Sequence, residues 1–223
     1  SLDYYIILWD ISLPEKKCQI NKYEHSDIVT SVSFNPIDEN IFISGCLDTF
    51  ARQWVLDYDL EKKINNGNIV NKIKTNPIIY GSYQGFIIGN IKKKKNKTNN
   101  KNNPGIDSKI IDYVNLSEKI TAVSYFPDGT KIAIGTIRGR IYIYNTFPKI
   151  TYIRNFDCKN KIGRFQKGKK ITSIEFFDKD SAVITTSDSR IRYVTMPEGK
   201  LICKYKGYMN TNYMVRTHGD LCN

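Results

Sequence analysis

His25-Ser-Asp-Ile-Val-Thr-Ser-Val-Ser-Phe-Asn-Pro36, then Ile41-Phe-Ile-Ser-Gly-Cys-Leu-Asp48, then Phe50-Ala-Arg-Gln-Trp54, are the three runs whose reading decides the fold. Each alternates side-chain character with period two, the pattern of a strand that buries one face. Turn chemistry separates them, at Asn35-Pro36 between the first and second runs and around Asp48 between the second and third.

The triplet recurs. A second copy runs Ile120-Thr-Ala-Val-Ser-Tyr125, Lys131-Ile-Ala-Ile-Gly-Thr136 and Arg140-Ile-Tyr-Ile-Tyr144, with Asp128-Gly129 as its first turn. A third runs Ile171-Thr-Ser-Ile-Glu-Phe176, Ala182-Val-Ile-Thr-Thr186 and Arg190-Ile-Arg-Tyr-Val194. A fourth strand-like run follows at Thr151 to Phe156 and at Leu201 to Tyr205, while Lys17 to Tyr23 follows a partial copy at Tyr4 to Asp10. Four short antiparallel strands repeating at some forty to fifty residues are the signature of β-propeller blades. Trp9 and Trp54 hold the same place 45 residues apart, as do Tyr144 and Val194, 50 apart. The fold expected is therefore all-β, a WD40-type propeller seen in part, with about three blades and part of a fourth.

Trp54 and Tyr144 are 90 residues apart, twice the usual spacing. Lys92-Lys-Lys-Lys-Asn-Lys-Thr-Asn-Asn-Lys-Asn-Asn103 lies between them and cannot bury enough apolar surface to offset its conformational entropy. Ile78 to Ile91 has strand-like pieces, so that a degenerate blade over 76–91 is the alternative to an insertion there. The expected division is blades over 1–75, a Lys/Asn-rich insertion over 76–115, blades over 116–207 and a truncated tail over 208–223. Because Ser1 leads straight into a strand-like run, the chain reads as a fragment. A net charge of +12 permits nucleic acid, an anionic membrane or an acidic partner. The lysine tract has no interleaved aromatics and no Arg-Gly pattern, which argues against RNA. Five cysteines without a CxxC pair point away from zinc or a disulfide framework and toward a reducing, cytoplasmic compartment. No cofactor or metal is called for.

WD-repeat proteins often carry a hydrogen-bonded network inside a blade, and one copy here resembles it, with His25, Ser44, Asp48 and Trp54 at fitting positions. Asp48 is expected to orient His25, His25 to reach Ser44, and Ser44 to reach the indole N–H of Trp54, so that every buried polar group is satisfied. The same trio of Ser, His and Asp resembles hydrolase parts, but Ser44 lies within a strand run rather than on a Gly-x-Ser-x-Gly elbow. With no P-loop, dinucleotide turn or metal-ligand spacing, the chain reads as a non-enzyme.

Several stretches carry a narrower resemblance: Ser44-Gly-Cys-Leu-Asp48, Ile134-Gly-Thr136 with Gly139-Arg140, Lys161-Ile-Gly-Arg164, Thr185-Thr-Ser-Asp-Ser-Arg-Ile-Arg192 and Lys204-Tyr-Lys-Gly-Tyr208. They resemble the WD repeat-containing protein 44 type, a Rab-GTPase-binding family of vesicle traffic. The resemblance spans about residues 4–75 and 116–210 and departs at 76–115. It implies a seven-bladed propeller, monomeric when full-length, acting in the cytoplasm and peripherally on endosomal membranes as a scaffold for other proteins, a small Rab-type GTPase among them. In that family the Rab-binding region lies mainly outside the propeller, so no Rab-contact residue is carried over. The alternative function is capture of an anionic ligand, RNA or phosphoinositide, through basic loops.

The basic loops form a candidate binding face. In a propeller the turn between second and third strands shares an end with the link between blades. That geometry gathers Arg138, Arg140 and Arg190 from turns with Lys159, Lys161 and Arg164 from the link after Phe156. An acidic or phosphorylated partner segment, or an anionic lipid headgroup, is the ligand expected there.

Overall fold

The computed structural model describes residues 3–9, 19–56, 109–160 and 167–210, with the single positions 11 and 215. Every regular element among them is a β-strand. β1 (Tyr5–Trp9) and β2 (Gln19–Glu24) pair as a two-stranded sheet. The first full blade is β3 (Val29–Phe34), β4 (Ile41–Cys46), β5 (Phe50–Val55) and β6 (Lys109–Asn115). The second is β7 (Ile120–Tyr125), β8 (Lys131–Thr136), β9 (Arg140–Asn145) and β10 (Thr151–Asp157). The third is β11 (Ile171–Phe176), β12 (Ser181–Thr186), β13 (Arg190–Thr195) and β14 (Leu201–Tyr205). All neighbours are antiparallel. The expected class and blade plan hold.

The insertion expected over 76–115 requires a correction. Its last seven residues, Lys109–Asn115, are β6, paired with β5 from Val55↔Lys109 to Phe50↔Asn115. The long connection is thus an interruption of one blade between its third and fourth strands. Loop-closure cost rises only with the logarithm of length, so a strand can return after many residues and still complete its sheet. The expected Lys92–Asn103 tract and the pieces at 78–91 lie outside the described residues.

The core lies between blades, where sheet faces meet. Tyr23, Phe42, Trp54 and Leu56 form one cluster where β2 meets the first full blade. Ile41, Ile43, Ile120, Ile132, Ile134 and Tyr144 belong to the next, and Ile141, Ile143, Ile171, Ile184 and Val194 to the one after. At Gly45 a Cβ would come within 2.7 Å of Ile120. Only glycine lets the sheets approach that closely.

Blade contacts are also stitched by hydrogen bonds. Each innermost strand shifts register at its second residue, Thr30, Thr121 or Thr172. The Thr30 hydroxyl contacts the Gly45 carbonyl at 3.0 Å and the Ile120 carbonyl of the next blade at 3.1 Å. Thr121 repeats this with Gly135 at 3.3 Å and Ile171 at 2.6 Å. A β-bulge at a fixed place re-aims one side chain, here toward the neighbouring blade.

Candidate interaction face

Turns between second and third strands, and links between blades, meet at one end of the molecule. The amides of Leu47, Ile137 and Ser187 donate to the carbonyls of Ile28, Lys119 and Lys170 at 3.0, 3.0 and 2.9 Å. The outgoing links bind the same turns, since Leu116 N donates to Thr49 O and Cys158 N to Gly139 O. One residue of each turn, Thr49, Gly139 or Ser189, has positive φ (74°, 77° and 60°). The turn is the same in three blades, so what varies is the side chains that it displays.

In the first blade the polar residues under this face are engaged inward. His25 Nε2 lies 2.8 Å from Ser44 Oγ, which accepts a hydrogen bond from Trp54 Nε1 at 2.8 Å. Asp48 does not bind His25 as expected. It accepts from Ser26 Oγ at 2.5 Å, the Phe50 amide at 3.0 Å and Arg52 at 2.7 Å. A guanidinium four residues along offers a charged partner, the stronger kind of hydrogen bond, and Asp48 takes it. Burial acts to raise the Asp48 carboxyl, but those three donors and the charge of Arg52 hold it down to about 2. Burial, followed by the charge of Arg52, pulls His25 down to about 4, with the Tyr23 carbonyl and Asp48 offsetting part of the fall. His25 is therefore neutral near pH 7. Ser44 is fully buried beneath it, so this trio cannot meet a substrate.

The third blade repeats the Asp–Arg pair. Asp188 accepts from Arg192 at 2.6 Å, and Arg192 is only 3% exposed. The sequence carried the signal, Asp-x3-Arg at 48/52 and again at 188/192 across equivalent turns. In the second blade Arg138 and Tyr142 occupy those places.

The candidate basic residues divide. Arg140 is neutralised by Glu118 at 2.9 Å and Asp157 at 3.2 Å, and Lys159 by Asp157 at 2.9 Å. Glu118, almost fully buried, also accepts from Thr136 Oγ1 at 2.8 Å. Arg138 is exposed on its turn, where a Cβ on Gly168 of the link would overlap its carbonyl. Arg190 lies on the next turn, donating to the Ser189 carbonyl at 2.9 Å. Lys161 and Arg164 lie outside the described residues. The geometry thus brings Arg138 beside the link but spends Arg140 and Lys159 on local carboxylates.

A profile of the family described as WD domain, G-beta repeat matches residues 16–54, which hold β2, β3, β4 and most of β5. The chain carries a WD repeat. WD repeat-containing protein 44 of Xenopus laevis is 29% identical over 217 residues, 97% of this chain and 18% of that protein. The 2-deoxy-glucose resistant protein 2 of Saccharomyces cerevisiae is 25% identical over 221 residues, 94% of this chain and 21% of that protein. An uncharacterised WD repeat-containing protein of Schizosaccharomyces pombe is 22% identical over 211 residues, 92% of this chain and 27% of that protein. This WD-repeat chain spans between about a fifth and a quarter of the length of those relatives. Among its described residues no helix is long and apolar enough to cross a membrane, and no cluster of His, Cys, Asp and Glu is arranged to hold a metal.

Proposed function

We propose that this protein is a non-catalytic platform on which other proteins assemble, and that it serves Rab-dependent membrane traffic from the cytoplasmic side of endosomes. The observation that supports the platform is the face just described. Rigid sheets present one turn and one link per blade at the same end, with side chains that differ from blade to blade. Loops held on a rigid scaffold suit recognition. The groove between the innermost strands offers little chemistry by contrast. Ser31, Ser33, Ser124, Ser173 and apolar side chains line most of it, with Glu175 as its one carboxylate. The Rab connection rests on the resemblance to the WD repeat-containing protein 44 type, and the similarity to the Xenopus protein of that name supports it. Capture of RNA or lipid through basic loops is less favoured, because Arg140 and Lys159 of the basic face are already paired.

The test reverses Arg138, Lys161 and Arg164 to Glu in the full-length protein. Affinity capture followed by quantitative mass spectrometry compares it with the unaltered protein, and binding to GTP-loaded Rab proteins is measured alongside. Recovery of specific partners should fall while the melting curve stays put. Unchanged recovery rules out this face, and no Rab binding by either form removes the traffic assignment.

A further inference from the structure

Three cations, Arg190, Arg192 and Lys204, stand on one face of the outer two strands of the third blade, and Lys206 follows directly after β14. Arg192 and Lys204 are direct cross-strand partners in the β13–β14 register, and Ile191 pairs with Tyr205. Period-two alternation places Arg190 on the face of Arg192 and Lys204, one step nearer the turn, and the charge of Lys206, just past the strand end, is felt at Lys204. Like charges set opposite each other in a sheet destabilise it. Among the described residues, Asp188 is the one carboxylate that answers them, and it is taken by Arg192 at 2.6 and 3.2 Å. Arg192 also donates to Thr186 Oγ1, and it shares with Lys204 a neutral acceptor, Asn160 Oδ1, at 3.3 and 2.9 Å. An amide oxygen satisfies a donor but supplies no countercharge.

The other blades do not build this. The first has Phe50 and Arg52 opposite Asn115 and Tyr113. The second has Arg140 opposite Asp157, which neutralises it together with Glu118. In the third blade the Lys204 ammonium is lowered from its ordinary range, by burial first and then by the charges of Arg192, Lys206 and Arg190. Those neighbours are therefore close enough to be felt.

We infer that this cluster holds a phosphate group borne on a side chain of a partner protein, gripped by Arg190, Lys204 and Lys206 beside the Asp188–Arg192 pair. The inference rests on the reading of this end of the molecule as an interaction face. A phosphorylated side chain brings close to two negative charges and three acceptor oxygens, which matches cations left without carboxylates. Asn160 of the incoming link bounds one side, and Tyr208, whose hydroxyl donates to the Arg190 carbonyl at 3.2 Å, bounds the other. Arg192 is buried and Lys204 partly so, which suits one inserted group rather than the broad plane of a bilayer.

The experiment titrates the full chain into a fluorescent Gly-Gly-phosphoserine-Gly-Gly peptide and its serine counterpart, read by anisotropy at low salt. Vesicles of phosphatidylcholine mixed with phosphatidylserine form a separate arm. The phosphopeptide should bind and the serine peptide should not. Lys204→Gln with Lys206→Gln should weaken binding about tenfold or more, and the paired Lys→Arg variant should retain it. Phosphopeptide should also raise the melting temperature of the unaltered protein and not that of the Gln variant. Equal binding by the Gln variant, no binding by any form, or capture of vesicles without peptide overturns the site. Partner recovery lost on reversing Arg138, Lys161 and Arg164, with peptide binding indifferent to Lys204 and Lys206, sinks the phosphate site and leaves the platform. The opposite pattern rules out Arg138, Lys161 and Arg164 as partner contacts and leaves the site.

Discussion

The first and second full blades share strand order, turn and the register shift in their innermost strands, yet they are held together by different chemistry. His25, Ser44 and Trp54 of the first correspond to Leu116, Ile134 and Tyr144 of the second, counted from the strand starts. In the first they form a hydrogen-bonded chain. In the second all three join one apolar cluster. A buried polar network and a matched apolar set are alternative solutions to one packing problem. What a blade cannot tolerate is half of each, because a single buried partner left behind keeps its full desolvation cost.

The contrast breaks most sharply at Trp54. Trp54→Ala removes the indole from the Tyr23–Phe42–Leu56 cluster and strips Ser44 of its donor. A loss of about 3–5 kcal/mol is expected in urea unfolding, and a loss under about 1 kcal/mol would mean that the cluster does not hold this blade.

Titration is the next largest effect. The folded pKa of His25, about 4, lies below its unfolded value, so the unfolded chain binds the extra proton first. Stability from this group is complete above about pH 6.5 and falls as pH drops toward 4, by at most about 3 kcal/mol. His25→Leu should flatten that slope. A slope that persists in the variant assigns it to other groups.

Transplanting the second blade's solution sharpens the comparison further. His25→Leu, Ser44→Ile and Trp54→Tyr together should cost only about 1–2 kcal/mol, less than Trp54→Ala alone, because no buried donor is orphaned. Additive losses from the three single changes would refute the equivalence of the two solutions.

The smallest effect concerns the connection between third and fourth strands. Asn145 and Thr151 bound it in the second blade, whereas Val55 and Lys109 bound it in the first, with 56–108 between. Replacing 57–108 by a four-residue turn should leave β6 in register, and loop closure alone predicts a gain of no more than about 2 kcal/mol. Collapse of the thermal transition would show that the interruption contributes contacts of its own.

Much of this was legible in the residues. Alternation over Val29–Phe34, Ile120–Tyr125 and Ile171–Phe176 announced the inner strands, and turn residues marked their ends. The resemblance to WD repeats proposed the pairing of Ser44 and Trp54. The Asp-x3-Arg repeat was present too, but reading it required knowing that both residues flank one tight turn.

What the chain determined alone is therefore local: strand, turn and repeat, because side-chain alternation and turn preference act over a few residues. Four matters waited on the tertiary structure. They are the return of Lys109–Asn115 as a fourth strand, the preference of Asp48 for Arg52 over His25, the neutralisation of Arg140 by Glu118 and Asp157, and the stacking of Lys204 against Arg192. Each depends on which groups meet across strands or blades. Charge and hydrogen bonding act over a few ångströms of space, whatever the distance along the chain, and only the packed blades settle which partner is nearest.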